Sequence, residues 1–233
     1  MTLTVKPPPD CLYGRARGHK LRPRQERLLE LTLPRLAFKQ EAAAQPATAF
    51  AAPVTETWLE IGFGGGEHAV SQARAHPHAG LIACEVFENG ICSLLSHLVP
   101  EGDEATSPVP GNLRLFTHDA RILLRALPES ALEKIFLLFP DPWPKARHAK
   151  RRFVHPEQIW LMARVLRPGG EWRVASDDPT YQAWVAEVMG AQAFFTYQPA
   201  ALTRPEHWPP TRYEAKALRA SRAARYWSFI RRA

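Results

Sequence analysis

An apolar, β-prone run, Thr57-Trp58-Leu59-Glu60-Ile61, passes directly into Gly62-Phe63-Gly64-Gly65-Gly66 and then into a helical pattern at Glu67–Ala75. Strand, glycine turn and helix in this order form the nucleotide-binding opening of a doubly wound α/β sheet. Gly62 and Gly64 tolerate positive φ and let a ligand approach the backbone closely. By itself the signal is ambiguous, because Gly64 to Ala69 also fits a dinucleotide pattern. Charge separates the two ligands. A dinucleotide brings a pyrophosphate to the helix N-terminus, where Glu60 and Glu67 would crowd it. S-adenosylmethionine carries an ammonium and a sulfonium and no phosphate, so a carboxylate at Glu60 suits it. Glu67 also complements the helix dipole.

The rest of the first half repeats the strand–helix alternation. Residues 81–84 form a second strand ending at Glu85, where an acid accepts hydrogen bonds from ribose hydroxyls. Residues 112–116 form a third strand, followed by His118-Asp119-Ala120. There the Asp119 carboxylate and the adjacent Ala120 amide can reach an adenine edge; Asp119 can equally cap the next helix.

The 233 residues suffice for one α/β domain with a substantial core. The net charge of +7 is unevenly spread. Residues 1–27, 145–152 and 200–233 hold 20 of the 30 Lys/Arg and 4 of the 23 Asp/Glu, leaving 10 basic against 19 acidic residues elsewhere. Basic ends and a basic loop around an acidic body indicate a polyanionic partner. The three cysteines, Cys11, Cys84 and Cys92, fit no zinc or redox spacing. With no membrane-length apolar run and no signal-type start, the expectation is a soluble cytoplasmic protein with reduced thiols, no metal and no membrane contact. Oligomeric state is not legible. Residues 1–23 read as a flexible basic arm, 24–53 as a short helix and linker, and 54–233 as the catalytic domain.

A fourth strand, 134–139, runs into Pro140-Asp141-Pro142-Trp143-Pro144-Lys145 and then Arg147, His148, Lys150, Arg151 and Arg152. The prolines fix φ on either side of Asp141 and bias the preceding residues to extended backbone. Asp141 is thereby presented at the carboxyl edge of the sheet, with a basic run beside it to track phosphates. Further on, residues 155–165 read as a helix, 168–170 as a turn and 171–175 as a strand delivering Asp177. Residues 193–197 read as a sixth strand and 225–231 as the last. Thr211-Arg212-Tyr213-Glu214 has the spacing of a capping box.

With these stretches in view, residues 57–232 resemble the bacterial tRNA (guanine-N7-)-methyltransferases of the TrmB type. The match rests on Leu59 to Gly64, Pro140 to Lys145, Arg147-His148, Lys150 to Arg152 and Thr211 to Glu214. The resemblance implies a class I S-adenosylmethionine-dependent methyltransferase fold: Rossmann-like, with a mixed seven-stranded sheet and an antiparallel last strand. It implies a variable-loop guanosine of tRNA as acceptor. Glu60, Gly62, Gly64, Glu85, Asp119, Ala120 and Asp141 would contact the donor, with Asp141 as the catalytic residue. Lys145, Asp177, Thr211, Arg212, Tyr213 and Glu214 would form the substrate site, and Arg147, His148, Lys150, Arg151 and Arg152 the RNA contacts. The chain departs from the pattern at Ala146, Ala149 and Phe87-Glu88-Asn89. Two other readings stay open: methylation of a different nucleic-acid atom, and an RNA-binding module without catalysis. Trp143 stands where exocyclic-amine methyltransferases carry a second proline, which argues against the first.

Overall fold

The computed structural model describes residues 16–206 and 208–233. Among them a six-stranded sheet has the order β3-β2-β1-β4-β5-β6. Its strands are β1 (Glu56–Ile61), β2 (Ala79–Cys84), β3 (Leu113–Phe116), β4 (Leu132–Leu138), β5 (Leu166–Ser176) and β6 (Arg225–Ile230). Neighbours pair parallel except β6, which runs antiparallel to β5. The order reverses between β1 and β4, so the carboxyl ends of these two strands open the crevice in which such sheets bind ligands.

The period-2 alternation of strand side chains assigns the two faces. Leu59, Ile61, Ile82, Phe116, Ile135, Leu137 and Trp172 pack on one side with α5 (Ala120–Ala126), α6 (Pro156–Val165) and α7 (Pro179–Gly190). Trp58, Leu81, Ala83, Leu115 and Phe136 pack on the other with α3 (Glu67–Ala75) and α4 (Glu88–Leu98). Helices on both faces explain why β1 and β2 are buried almost throughout.

Ahead of the sheet, α1 (Pro23–Arg27) continues through a π-helical turn (Leu28–Thr32) into α2 (Leu33–Leu36), matching the expected short helix. Arg24 and Arg27 reach the buried Glu104 at 3.6 and 3.4 Å. The expected linker is more ordered than its Ala/Pro composition suggests. Residues Gln40–Ala44 and Pro46–Ala49 form 3₁₀ turns, Ala43 and Phe50 are buried, and Phe50 closes over Gly80. The arm beyond residue 15 is docked: Glu88 N–H donates to Ala16 O, and Asn89 Nδ2 donates to His19 O. The remainder of the expected arm, residues 1–15, lies outside the described residues.

Two expectations need correction. The sheet has six strands rather than seven. Residues 193–197 meet the end of β6 through a single bridge, Phe195 with Arg231, made by Thr196 N–H to Ile230 O and Arg232 N–H to Phe194 O, while the Gln192 side chain binds both N–H and C=O of Phe195. The turn expected at 168–170 is absorbed into β5, where Gly169 takes φ +78° and the register with β4 shifts between Leu132 and Lys134. The helix at 212 is α8 (Arg212–Arg219).

Asn112 ties the layers together below the site. Buried beside β3, its Nδ2 donates to Ala73 O, His76 O and Ala79 O at 2.9, 3.2 and 3.0 Å, joining the end of α3 to the start of β2. Asn112→Ala leaves these carbonyls without that donor, so a loss of about 2 kcal/mol is expected in denaturant titration, with roughly 5 °C off the melting temperature.

Candidate active site at the sheet switch point

The glycine loop leaves β1 in a conformation that side chains resist: φ is +73° at Gly62 and +59° at Gly64. Gly62 and Phe63 N–H donate to Cys84 O, pinning the loop to the end of β2. Glu85 then fastens it. One carboxylate oxygen accepts from Gly64 N–H at 2.8 Å, the other from Val86 and Phe87 N–H at 2.8 and 3.0 Å. A carboxylate offers about four acceptor positions, so Glu85 can organise this loop and still receive one further donor. A Cβ built at Gly62 meets nothing within 4 Å, so the backbone there is open to a ligand. Glu60, one residue before the end of β1, is buried at 3% exposure, with Oε2 2.9 Å from His68 Nδ1.

Asp119 serves as the N-cap of α5. Its Oδ1 accepts from Arg121 N–H at 2.9 Å and its Oδ2 pairs with Arg121 Nη1 at 3.0 Å, above the buried Ala120. Capping does not exhaust its acceptor capacity.

Across the crevice, β4 delivers the proline-rich loop. Phe139 and Trp143 hold φ of +53° and +44°, sparsely populated for bulky residues, and the pair brackets the exposed Asp141. What holds these conformations is Arg152. It is 5% exposed, donates from Nε to Pro142 O at 3.1 Å and from Nη2 to Trp143 O at 3.0 Å, and lies over Trp184. Expected as an RNA contact, Arg152 instead faces inward, because Pro142 and Trp143 sit outside any strand ladder and their carbonyls need a donor. Lys145, Arg147 and Lys150 are exposed along the 3₁₀ turn Ala146–Arg151. Arg151 covers the Trp143 ring at 4.7 Å and His148 meets its edge. Partial desolvation, then Arg151, Arg147, Lys145 and Lys150, lower the His148 pKa, so this ring is neutral at pH 7.

The C-terminal third closes the crevice. Thr211 caps α8 by accepting from Glu214 N–H at 3.0 Å. Tyr213 lies within 2.8 Å of where a Gly64 Cβ would be and stacks on Phe139, and Arg212 reaches Glu67 at 3.7 Å. Glu214 accepts from Tyr226 Oη at 2.7 Å and pairs with Arg204 at 3.0 Å. Burial, then the hydrogen bond and charge of Glu214, keep the Tyr226 phenol protonated at neutral pH. Asp177 pairs with Arg222 at 2.7 Å, whereas Asp178 caps α7. A cavity between these elements is lined by His68, Phe139, Ala175, Trp208, Glu214 and Tyr226. A larger open groove along α3 is lined by Glu67, Ser71, Arg74 and, from α4, His97.

The structure thus brings Glu60, Gly62, Gly64 and Glu85 together with Tyr213 around the glycine loop, and places Asp141 and Lys145 on the facing loop. His68, Arg204 and Tyr226 belong to the same region and carried no motif. The available signal was the place of His68, eight residues after Glu60 and second in α3. Among the described residues no group of His, Cys, Asp and Glu could hold a metal, and no helix is long and apolar enough to cross a membrane.

A family model described as a putative methyltransferase matches residues 55–226. A tRNA (guanine-N(7)-)-methyltransferase from Granulibacter bethesdensis is 63% identical over 231 residues, covering 99% of both chains. The one from Paramagnetospirillum magneticum is 46% identical, covering 95% of this chain and 92% of the relative. The chain belongs to the tRNA (guanine-N(7)-)-methyltransferase family. Its fold is also that of more distant methyltransferases. The 16S rRNA methyltransferase KamB superposes with a TM-score of 0.53 at 20% identity, over 77% of this chain and 90% of that one. An adenine-N(1) 16S rRNA methyltransferase from Catenulisporales acidiphilia, solved with S-adenosylmethionine, gives 0.50 at 11% identity over 84% and 92%. These place the family member's sheet, with its antiparallel sixth strand, in the class I methyltransferase fold.

Arg152→Met keeps the apolar stem and removes the guanidinium. Stability falls by about 2 kcal/mol, and hydrogen exchange across residues 141–151 quickens; unchanged exchange would mean that Arg152 does not hold the loop.

Proposed function

We propose that this protein transfers a methyl group from S-adenosylmethionine to N7 of a guanosine in the variable loop of tRNA. The observation that carries the reading is the set of carboxylates at the switch point, Glu60, Glu85 and Asp141, beside an exposed basic row, in a chain 63% identical to a named tRNA (guanine-N(7)-)-methyltransferase. The residues fit the donor. Gly62 is open to a close approach, Glu85 has an acceptor position left for a ribose hydroxyl, and the buried Glu60 suits an ammonium group. When bound, S-adenosylmethionine supplies a methyl carbon on a sulfonium leaving group, which a lone pair can displace in line.

Guanine N7 has a free lone pair and no proton to lose, so the protein needs no general base. Its task is alignment and electrostatics. Asp141, held between two prolines on a loop clamped by Arg152, would accept from guanine N1–H and N2–H₂ or from the donor's ammonium. The first contact strengthens as positive charge develops on the purine. Tyr213, stacked on Phe139 above Gly64, provides a flat apolar wall at the junction of donor and base. Lys145 approaches the substrate from the loop, and Arg147 and Lys150 would follow the phosphate backbone.

The reading is tested by labelled-methyl transfer to unmodified total tRNA, followed by nucleoside analysis. Label in N7-methylguanosine is expected, and label in another nucleoside would overturn the choice of acceptor. Asp141→Asn should lower turnover about 10²-fold at saturating donor and tRNA; a loss under about threefold would remove Asp141 from the chemistry. Replacing Arg147 and Lys150 with alanine should reduce the slope of log affinity against log salt by roughly 1.5, the slope falling by about 0.7–0.9 per phosphate contact. His148→Gln, at a ring already neutral at pH 7, should leave that slope unchanged.

A further inference from the structure

Glu60 at the switch point is paired with His68, a residue to which none of the roles assigned above belongs. Glu60 is the penultimate residue of β1, His68 the second of α3, and their side chains are 4% and 6% exposed. Their contact is short, 2.9 Å between Oε2 and Nδ1. An ionised carboxylate only accepts, so Nδ1 carries a proton. On the far side of the ring, Nε2 lies 3.4 Å from the amide nitrogen of Gln72, which is four residues on along the same helix face and itself buried. In the tautomer with its proton on Nδ1, Nε2 is the acceptor for that amide. The ring with one proton on Nδ1 is neutral, and Phe136 packs against it with ring centroids 4.9 Å apart.

The consequence is electrostatic. An arginine or lysine at position 68 would cancel the charge of Glu60. A neutral imidazole hydrogen-bonds the carboxylate and leaves its negative charge in place, in a site largely shielded from water. A buried carboxylate held this way is costly unless a cation arrives to meet it. The ring fixes the side chain as well, because Gln72 and Phe136 leave His68 little freedom. We propose that His68 is a positioning residue for the methyl donor: it orients Glu60 toward the donor's ammonium group and preserves the charge that binds it. The proposal rests on the assignment of S-adenosylmethionine as donor.

The test compares two ligands by calorimetry, S-adenosylmethionine and methylthioadenosine, which keeps the adenosine part and lacks the amino-acid part. Wild-type protein, His68→Leu and His68→Asn are measured. Leucine removes the donor to Glu60, whereas the Asn side-chain amide places an N–H close to where Nδ1 stood. His68→Leu should weaken S-adenosylmethionine binding about tenfold and methylthioadenosine binding less than twofold. His68→Asn should recover most of the difference. In turnover, His68→Leu should raise the donor KM with kcat within about twofold at saturation. Equal weakening of both ligands would overturn the proposal, because His68 would then only pack the fold, and so would unchanged binding of S-adenosylmethionine. Should His68→Leu fail to fold, His68→Ser is judged by the same ratio. Wild-type protein that binds neither ligand would instead overturn the donor assignment.

Discussion

Three backbone N–H groups converging on the Glu85 carboxylate hold the site in shape. Gly64 comes from the loop after β1, and Val86 and Phe87 from the loop after β2, so a single side chain joins the two loops beyond the point where Gly62 and Phe63 N–H reach Cys84 O. That junction adds to those backbone bonds in holding the glycine loop, with its left-handed residues, in one conformation. Gly90 at the start of α4 reinforces the arrangement, since a Cβ there would lie 2.5 Å from Gly64 O. Backbone amides usually recruit anions; here the anion is part of the protein. That leaves the opening suited to a ligand that brings cations and hydroxyls.

The facing loop solves a different problem. Asp141 must stand at the crevice mouth without a strand to support it. Two prolines restrict its neighbours, and two residues with positive φ turn the chain. The carbonyls left over are satisfied by Arg152. The basic run is therefore divided by function: its last residue supports the loop from within, and Lys145, Arg147 and Lys150 face outward.

Much of this was legible in the residues. The strand, glycine turn and helix at 57–75, the continuous apolar runs in β2 and β4, and the carboxylates at strand ends are local patterns, and local patterns survive into the fold. Asp119 could be read two ways, and its cap geometry is what the structure displays. That Arg152 turns inward was not legible, because charge runs say nothing of which member does so; that depends on carbonyls ten and nine residues back. Residues 193–197 have strand composition, but composition does not say how many residues an edge will pair, and here one bridge forms. The 3₁₀ turns at 40–49 looked like a linker because Ala and Pro carry no periodic signal, while Phe50 on Gly80 is a contact between distant parts of the chain. His68 was passed over for a similar reason: its partner Glu60 is on another element.

Tyr226 lies on the last strand and Glu214 on the last helix, yet both wall a crevice whose floor is built from residue 60 onward. The site is thus assembled from the two ends of the domain's order of synthesis. A chain still emerging from the ribosome has its glycine loop but not its cover, and β5 lacks the antiparallel neighbour that completes the sheet. A product cut before β6 would keep the glycine loop and lose Tyr226 from the cavity wall and the antiparallel partner of β5.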